Sequence, residues 1–226
     1  QWYITNGQID HLIETGIDLY KLPLQEKKAI LCSCIYGIDI DIHAVEVAKF
    51  SLLIKLIEDE TAPSVAEVVP ILPDLGDNIL FGNSLVSQVE LNGISGDNNQ
   101  IMEIVPFDWS DINNGCSFDV IIGNPPYVNT EGMHTLLPSA EVEVYKKKYK
   151  TSHKQFDKYF IFIEQAINKI KENGFVCYIV PNKFFKIGAG EKLRNLIAKE
   201  QMLVSLDDFG DAQLFEDKTI YSSIIL

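Results

Sequence analysis

Hydrophobic and polar positions alternate along this chain in two different periods. Short β-prone apolar runs occupy residues 30–38, 78–81, 118–122, 175–180, 203–209 and 219–226. Between them, apolar residues recur at helical spacing in segments 43–57, 156–171 and 191–199. Asp41 is placed to cap the first of these helices, and Asn173-Gly174 is placed to end the second. Strands separated by helices predict an α/β fold, with a doubly wound and largely parallel sheet.

Three segments interrupt this alternation. Residues 86–117 are rich in turn signals and predict an irregular connection, with a small hairpin through Ile101–Val105. Residues 128–155 form a long insertion before the next helix, and a loop of that length beside a site is more often functional than decorative. Residues 1–29 are an upstream connecting segment, in which Trp2–Thr5 is the one β-prone run.

Composition narrows the class of protein. A chain of 226 residues with 46% hydrophobic content can bury one substantial core, so residues 1–226 are predicted to form a single domain. No apolar run approaches the length of a membrane span and no signal-like stretch opens the chain, which predicts a cytoplasmic protein. The four cysteines lack CxxC pairing and histidine neighbours at ligand spacing. They are therefore interpreted as reduced thiols, and no metal site is predicted.

The charge balance is unfavourable for a protein that meets a polyanion. The formal net charge is −13, which repels nucleic acid at long range. The sign reverses locally within the insertion, at Lys146, Lys147, Lys148, Lys150 and Lys154. This cluster is interpreted either as a set of contacts to DNA phosphates or as an ordinary solvated face.

Asn124-Pro125-Pro126-Tyr127 is the most informative local feature. It directly follows the apolar run 118–122, so it predicts a rigid loop at the end of a buried strand. An exocyclic amine on an aromatic ring is a poor nucleophile until both of its N–H groups are held by hydrogen-bond acceptors. The Asn124 side-chain oxygen and the Pro125 carbonyl can supply those two acceptors, while Pro126 restricts the loop. Tyr127 offers a ring on which an extruded base can stack. On stacking alone, Tyr127→Phe would be tolerated. The alternative is a strand that ends in a simple Pro-Pro turn.

The flanking sequence contains further short motifs in a fixed order: Tyr36-Gly37-Ile38-Asp39-Ile40-Asp41, Gly82-Asn83-Ser84-Leu85, Phe118 to Tyr127, Asp157-Lys158-Tyr159-Phe160 and Val180-Pro181-Asn182-Lys183. In this order the chain resembles the S-adenosylmethionine-dependent adenine-N6 DNA methyltransferases of bacterial restriction–modification systems, over roughly residues 20–226. The similarity is greatest to the type IIG branch, in which methylation, cleavage and target recognition share one polypeptide. The resemblance implies a Rossmann-like class I methyltransferase sheet whose last strand is antiparallel. It also implies double-stranded DNA as partner, with a recognition domain and a nuclease domain as further parts of the parent polypeptide.

The resemblance also implies roles for individual residues. Asp39 would accept the ribose hydroxyls of S-adenosylmethionine, and Ile40 would lie against the cofactor's adenine. Asn83, with Ser84 beside it, would contact that adenine, although a turn asparagine is the alternative. Phe215 would be a second aromatic beside the target base, or else a core residue.

One part of the family pattern has no counterpart in this sequence. The glycine-rich loop, of the form Asp-Pro-x-x-Gly-x-Gly, matches nothing in residues 1–36, and Gly188-Ala189-Gly190 is interpreted as a turn. We therefore expect a catalytic-domain fragment that lacks the first strand of the sheet, with Trp2–Thr5 or a second molecule filling the gap. Such a fragment is expected to be inactive alone.

Two other functions stay open on sequence grounds. The same tetrapeptide serves enzymes that methylate RNA bases or a protein glutamine, although the motifs around Asp39 and Asn83 favour the DNA branch. A non-catalytic DNA- or protein-binding module is the second, and the missing glycine-rich loop favours it.

Overall fold

The computed structural model describes residues 1–17, 19–66, 68–94, 101–112, 115, 117–199, 202–210 and 222–226. The chain divides into two compact units, Gln1–Gly82 and Asn83–Leu226. That residues 1–226 act as one catalytic domain stays a prediction.

The first unit combines two small sheets with helices. Its elements are α1 (Trp2–Thr5), β1 (Ile13–Gly16), β2 (Leu19–Lys21), α2 (Leu24–Cys34), β3 (Gly37–Asp39), α3 (Ile42–Ile57), α4 (Ala62–Ala66) and β4 (Ile79–Phe81). Strands β1 and β2 pair antiparallel, and β3 pairs parallel with β4. Helix α3 agrees with the predicted helix, and the Asp41 side chain caps it by accepting from the His43 backbone N–H at 2.8 Å.

Two strand predictions in this unit are wrong. The run 30–38 is mostly helical, because α2 extends to Cys34 and only Gly37–Asp39 is a strand. A short apolar run does not distinguish a strand from a buried helix, and here Leu24 and Leu31 lie seven residues apart on the buried face of α2. Trp2–Thr5 is also helical, so it does not supply the missing strand.

A buried acid ties three elements of the first unit together. The Glu60 side chain is 1% exposed, and its oxygens lie 2.7 Å from Lys27 Nζ in α2 and 3.3 Å from Lys21 Nζ in β2. Ser64 in α4 donates a third hydrogen bond at 2.8 Å. These contacts, led by the hydrogen bond from Lys27, lower the pKa of Glu60 from 4.5 to about 2.

Glu60→Gln is therefore expected to lower the free energy of unfolding by about 2 kcal/mol at neutral pH. The folded pKa lies below the unfolded one, so this contribution is fully present above pH 4.5 and disappears as the pH falls towards about 2. Urea unfolding of the chain at several pH values would measure the difference between wild type and variant. Glu46→Gln, in an exposed pair with Lys49, is the matched control and should change little. A difference that is constant from pH 7 to 2.5 would contradict this account.

The second unit is built on a four-stranded sheet. Its elements are α5 (Gln88–Asn92), β5 (Phe118–Gly123), α6 (Thr130–Leu136), α7 (Ser139–Lys148), α8 (Lys158–Lys169), β6 (Ile170–Pro181), α9 (Glu191–Lys199), β7 (Leu206–Asp208) and β8 (Ser222–Ile225). The strand order is β5-β6-β8-β7. Strand β6 is parallel to β5, and β8 is antiparallel to both of its neighbours. Strands β5, β6 and β7 therefore run in one direction, and the predicted antiparallel last strand is confirmed.

Local predictions in this unit were less accurate. Helix α8 ends at Lys169, and Asn173-Gly174 lies inside β6, where the β5–β6 register is irregular between Phe118 and Val120. A Cβ at Gly174 would lie 2.9 Å from the Asp119 carbonyl oxygen, so the glycine permits a close strand contact and does not end a helix. Residues 101–105 contain no strand, which contradicts the predicted hairpin, and the insertion 128–155 is largely helical.

Candidate functional site

The motif loops of the second unit meet at one edge of its sheet. Because β5, β6 and β7 run in the same direction, their carboxyl ends lie along a common edge, which is where α/β sheets place their sites. The tetrapeptide beginning at Asn124 follows β5, Asn182 and Lys183 follow β6, and Asp208 ends β7. The amide of Asn182 donates to the Asp208 carboxylate at 2.8 Å and is the leading cause of its lowered pKa.

The tetrapeptide loop is held by burial of one proline and by hydrogen bonds of its tyrosine. Pro125 is buried, whereas Asn124 and Pro126 are exposed. Tyr127 is half-buried, and its hydroxyl contacts the Ile179 carbonyl oxygen on β6 at 2.9 Å. The same hydroxyl contacts Asn124 Oδ1. Burial raises the pKa of Tyr127, so the hydroxyl stays protonated near neutral pH. The loop is consequently fixed to the neighbouring strand and presents the Asn124 side chain outwards.

Aromatic side chains support Tyr127 from within the unit. Its ring centroid lies 6.2 Å from that of Tyr159 in α8, with the two ring planes at 85°. The buried Tyr159 donates a hydrogen bond to the Pro181 carbonyl at the end of β6 at 3.2 Å and packs edge-to-face with Phe160. This packing joins the ends of β5, β6 and α8, and thereby fixes the position of the Tyr127 ring.

The insertion is closed at its base directly beside the tetrapeptide. Asn129 and Asp157 form an antiparallel bridge, and the Lys158 backbone N–H donates to the Val128 carbonyl at 2.7 Å. Both oxygens of the buried Asp157 carboxylate lie 3.0–3.1 Å from Lys183 Nζ. No role was predicted for this ion pair. The sequence signal was present, since each partner lies in one of the ordered motifs.

Asn83 and Ser84 lie in a buried polar network. The Asn83 amide donates to Glu141 Oε1 at 2.9 Å, and its oxygen accepts from the Leu85 backbone N–H at 3.1 Å. Lys158 Nζ lies 3.5 Å from the same Glu141 oxygen, and burial lowers the pKa of this lysine despite the carboxylate. The Ser84 carbonyl accepts from Trp109 Nε1 at 3.0 Å. In this arrangement the Asn83 amide braces α7, and its contact with a cofactor stays a prediction.

Asp39 and Ile40 belong to the first unit. Asp39 ends β3 with an exposed side chain, whose Oδ1 accepts from the Asp41 backbone N–H at 2.8 Å. Ile40 is 53% exposed. A solvent-facing carboxylate followed by an exposed apolar side chain fits a ribose and an adenine ring, respectively. The side chains at this strand end are thus compatible with the predicted cofactor.

The five lysines of the insertion differ in their contacts. Lys148 is tied to Glu90 at 2.9 Å and to the Leu85 carbonyl at 3.0 Å, so its ammonium group is held within the unit. Lys147 pairs with Glu143 at 2.7 Å, Lys154 lies 3.8 Å from Glu191, and Lys146 Nζ lies 3.2 Å from His134 Nε2. Lys150 is exposed. Phosphate contacts by these residues stay a prediction, as does the role of Phe215, which lies outside the described residues.

The described residues contain neither a metal-binding cluster nor a membrane-spanning helix. No group of three or more His, Cys, Asp or Glu side chains is placed there to hold a metal ion. No helix among those residues has the length and apolar character needed to cross a membrane.

Sequence comparison finds a relative that covers nearly the whole chain, and others that cover part of it. The chain is 44% identical over 224 residues to the type II restriction enzyme and methyltransferase RM.Eco57I of Escherichia coli, which covers 99% of this chain and 21% of that protein. It is 30% identical over 115 residues to the type II methyltransferase M.BstVI of Geobacillus stearothermophilus, covering 50% of this chain and 20% of that protein. The chain thus spans about a fifth of the length of these relatives.

Structural comparison supports the fold. The M protein of the type I restriction enzyme EcoKI aligns with 99% of this chain and 34% of its own, with a TM-score of 0.51 and 11% identity. Residues 33–215 match the family described as Eco57I restriction-modification methylase. The matched range includes the tetrapeptide Asn124–Tyr127 and the motifs around Asp39 and Asn83. The resemblance predicted from the ordered motifs is confirmed, and the chain belongs to the Eco57I restriction-modification methylase family.

Proposed function

We propose that this chain carries the catalytic part of an enzyme that transfers a methyl group from S-adenosylmethionine to the N6 amine of an adenine extruded from double-stranded DNA. The observation that carries the proposal is the geometry of the tetrapeptide. Asn124 is exposed at the edge of the sheet where the co-directional strands β5, β6 and β7 end, on a loop held by the buried Pro125 and by the Tyr127 hydroxyl. The family relationship supports a DNA methyltransferase, and the two-acceptor argument supports an exocyclic amine as the reacting group.

Each residue of the loop has a defined part in this proposal. Asn124 Oδ1 and the Pro125 carbonyl accept hydrogen bonds from the two N–H groups of the adenine amine, which directs its lone pair towards the methyl group. Tyr127 stacks on the extruded base. The N6–CH3 bond forms as the S–CH3 bond breaks, and the amine then loses one proton to water. Placement of the reacting atoms supplies most of the acceleration.

The cofactor fits the residues of the first unit described above. S-adenosylmethionine would supply an electrophilic methyl group on its sulfonium. Asp39 would hold the ribose hydroxyls and Ile40 would cover the adenine ring. The family resemblance adds Asn83 and Ser84 to the proposed set.

The remaining parts of the proposal concern the parent polypeptide. RM.Eco57I is named as both a restriction enzyme and a methyltransferase, and this chain matches 21% of its length. We infer that the parent of this chain carries a recognition domain and a nuclease domain. Those parts would supply most of the DNA affinity, because this chain has a net charge of −13. Such an enzyme would act in the cytoplasm.

A labelled-methyl assay on the full-length protein tests the proposal. The protein is incubated with labelled S-adenosylmethionine and, in separate reactions, mixed-sequence double-stranded DNA, RNA and a protein extract. Label in DNA, recovered as N6-methyl-2′-deoxyadenosine after digestion to nucleosides, is the expected result. Label in N4-methylcytosine would contradict the choice of base, label mainly in RNA or protein would contradict the choice of substrate, and label in none of them would favour a non-catalytic module.

A further inference from the structure

The Tyr127 hydroxyl occupies a position that stacking on a base does not require. It lies between two oxygen atoms, the Ile179 carbonyl oxygen on β6 at 2.9 Å and Asn124 Oδ1 on the loop after β5. A stacking partner needs only its ring. The hydroxyl therefore connects the neighbouring strand to the side chain that is proposed to contact the substrate amine.

The number of protons limits what this arrangement can do. A phenol has one proton, and it cannot be donated fully to two acceptors at once. The Ile179 carbonyl can only accept, whereas the Asn124 amide can rotate to present either its oxygen or its N–H groups. When the Tyr127 hydroxyl donates its proton in a hydrogen bond to the Ile179 carbonyl, the Tyr127 oxygen accepts from Asn124 Nδ2–H. Asn124 Oδ1 then points away from the tyrosine.

We propose that the Tyr127 hydroxyl is a positioning group that sets the rotation of the Asn124 amide. In one arrangement the hydroxyl donates to Asn124 Oδ1. In the other it donates to the Ile179 carbonyl and accepts from Asn124 Nδ2, so that Asn124 Oδ1 can accept from the substrate amine. Burial keeps the hydroxyl protonated, which this exchange requires. The inference rests on the proposed function, because it needs Asn124 Oδ1 to be the acceptor.

The proposal separates two contributions of Tyr127. Tyr127→Phe keeps the ring and removes the positioning group, so base extrusion should be unchanged while kcat falls about tenfold, the size expected for one hydrogen bond. The KM for DNA should stay within twofold. Tyr127→Ala, which also removes the ring, should in addition weaken extrusion by about five- to 100-fold.

A double-mutant cycle in the full-length protein tests this, with single-turnover methylation of a DNA duplex as readout and 2-aminopurine fluorescence at the target position as a measure of extrusion. In the Asn124→Ala background, Tyr127→Phe should slow transfer by less than twofold, because the group that the hydroxyl positions is absent.

Tyr149→Phe is the matched control. The Tyr149 hydroxyl also lies between two oxygens, the Leu85 carbonyl at 2.8 Å and Gln165 Oε1 at 3.1 Å, but it is buried in the core. This variant should lose stability and keep its rate.

Three results would overturn the proposal. These are a wild-type rate for Tyr127→Phe, a full tenfold loss that persists in the Asn124→Ala background, and a loss of 2-aminopurine signal that accompanies the rate loss in Tyr127→Phe. The second and third would show that the hydroxyl stabilises the loop as a whole. If the proposed function itself is wrong, wild-type protein fails to methylate adenine, which is observed before any variant is compared.

Discussion

Asn124→Ala is expected to slow methyl transfer by roughly 100- to 1,000-fold, while the affinity for DNA stays within about twofold. The size of this rate loss follows from the loss of one preorganised acceptor at the reacting amine, by analogy with removal of a single donor from an oxyanion hole. The Asn124 side chain is exposed and forms a hydrogen bond with Tyr127. Removing it should therefore change the chemistry far more than the fold.

Single-turnover methylation of a DNA duplex by the full-length protein would measure this effect, with DNA affinity determined separately by fluorescence anisotropy. Asn195→Ala, an exposed asparagine on α9, is the control and should behave as wild type. If Asn124→Ala retained more than a tenth of the wild-type rate, the side chain would not be an essential acceptor. An equal loss of DNA affinity would instead indicate a binding role.

Gly190→Ala is expected to lower the free energy of unfolding of the second unit by about 3 kcal/mol. A Cβ at this position would lie 2.2 Å from the Phe184 carbonyl oxygen, a backbone atom that a side-chain rotation cannot move aside. That carbonyl also accepts from Arg194 Nη1, which donates to the Ile187 carbonyl at 2.9 Å as well. The added methyl group would therefore displace the turn that joins β6 to α9 and pull at the buried Phe184 ring.

Gly188→Ala, two residues earlier in the same turn, is the matched control. Its Cβ would meet only the flexible end of Lys154, at 3.9 Å, and Gly188 is exposed. This variant should stay within about 0.5 kcal/mol of wild type. Urea unfolding of the chain followed by circular dichroism would compare the two. Equal losses from both substitutions would show that the turn adjusts to a side chain at Gly190.

The site illustrates which inferences depended on tertiary contacts. The strand 118–122 and the rigid loop after it were predictable, since an apolar run followed by two prolines has few alternative structures. The predicted burial of this strand is wrong, because β5 lies at the edge of the described sheet and Val120 and Ile122 are exposed. Neither the anchoring of Tyr127 on the Ile179 carbonyl nor the pairing of Asp157 with Lys183 was predictable in that way. These partners lie 52 and 26 residues apart along the chain. The Tyr127 hydroxyl contact also changes the expectation for Tyr127→Phe, from no effect to a measurable one.

By itself, the sequence determined the features that arise from near neighbours in the chain: the α/β alternation, the Asp41 cap, the helices predicted at 43–57 and 191–199, and the family's ordered motifs. Only the tertiary structure decided whether the run 30–38 is a helix, whether Asn173-Gly174 ends a helix or permits a close strand contact, and at which glycine of the 188–190 turn a Cβ would meet backbone. Each of these outcomes depends on atoms that are distant in sequence or on backbone approach, and burial against such partners outweighs the small local preferences of a short segment.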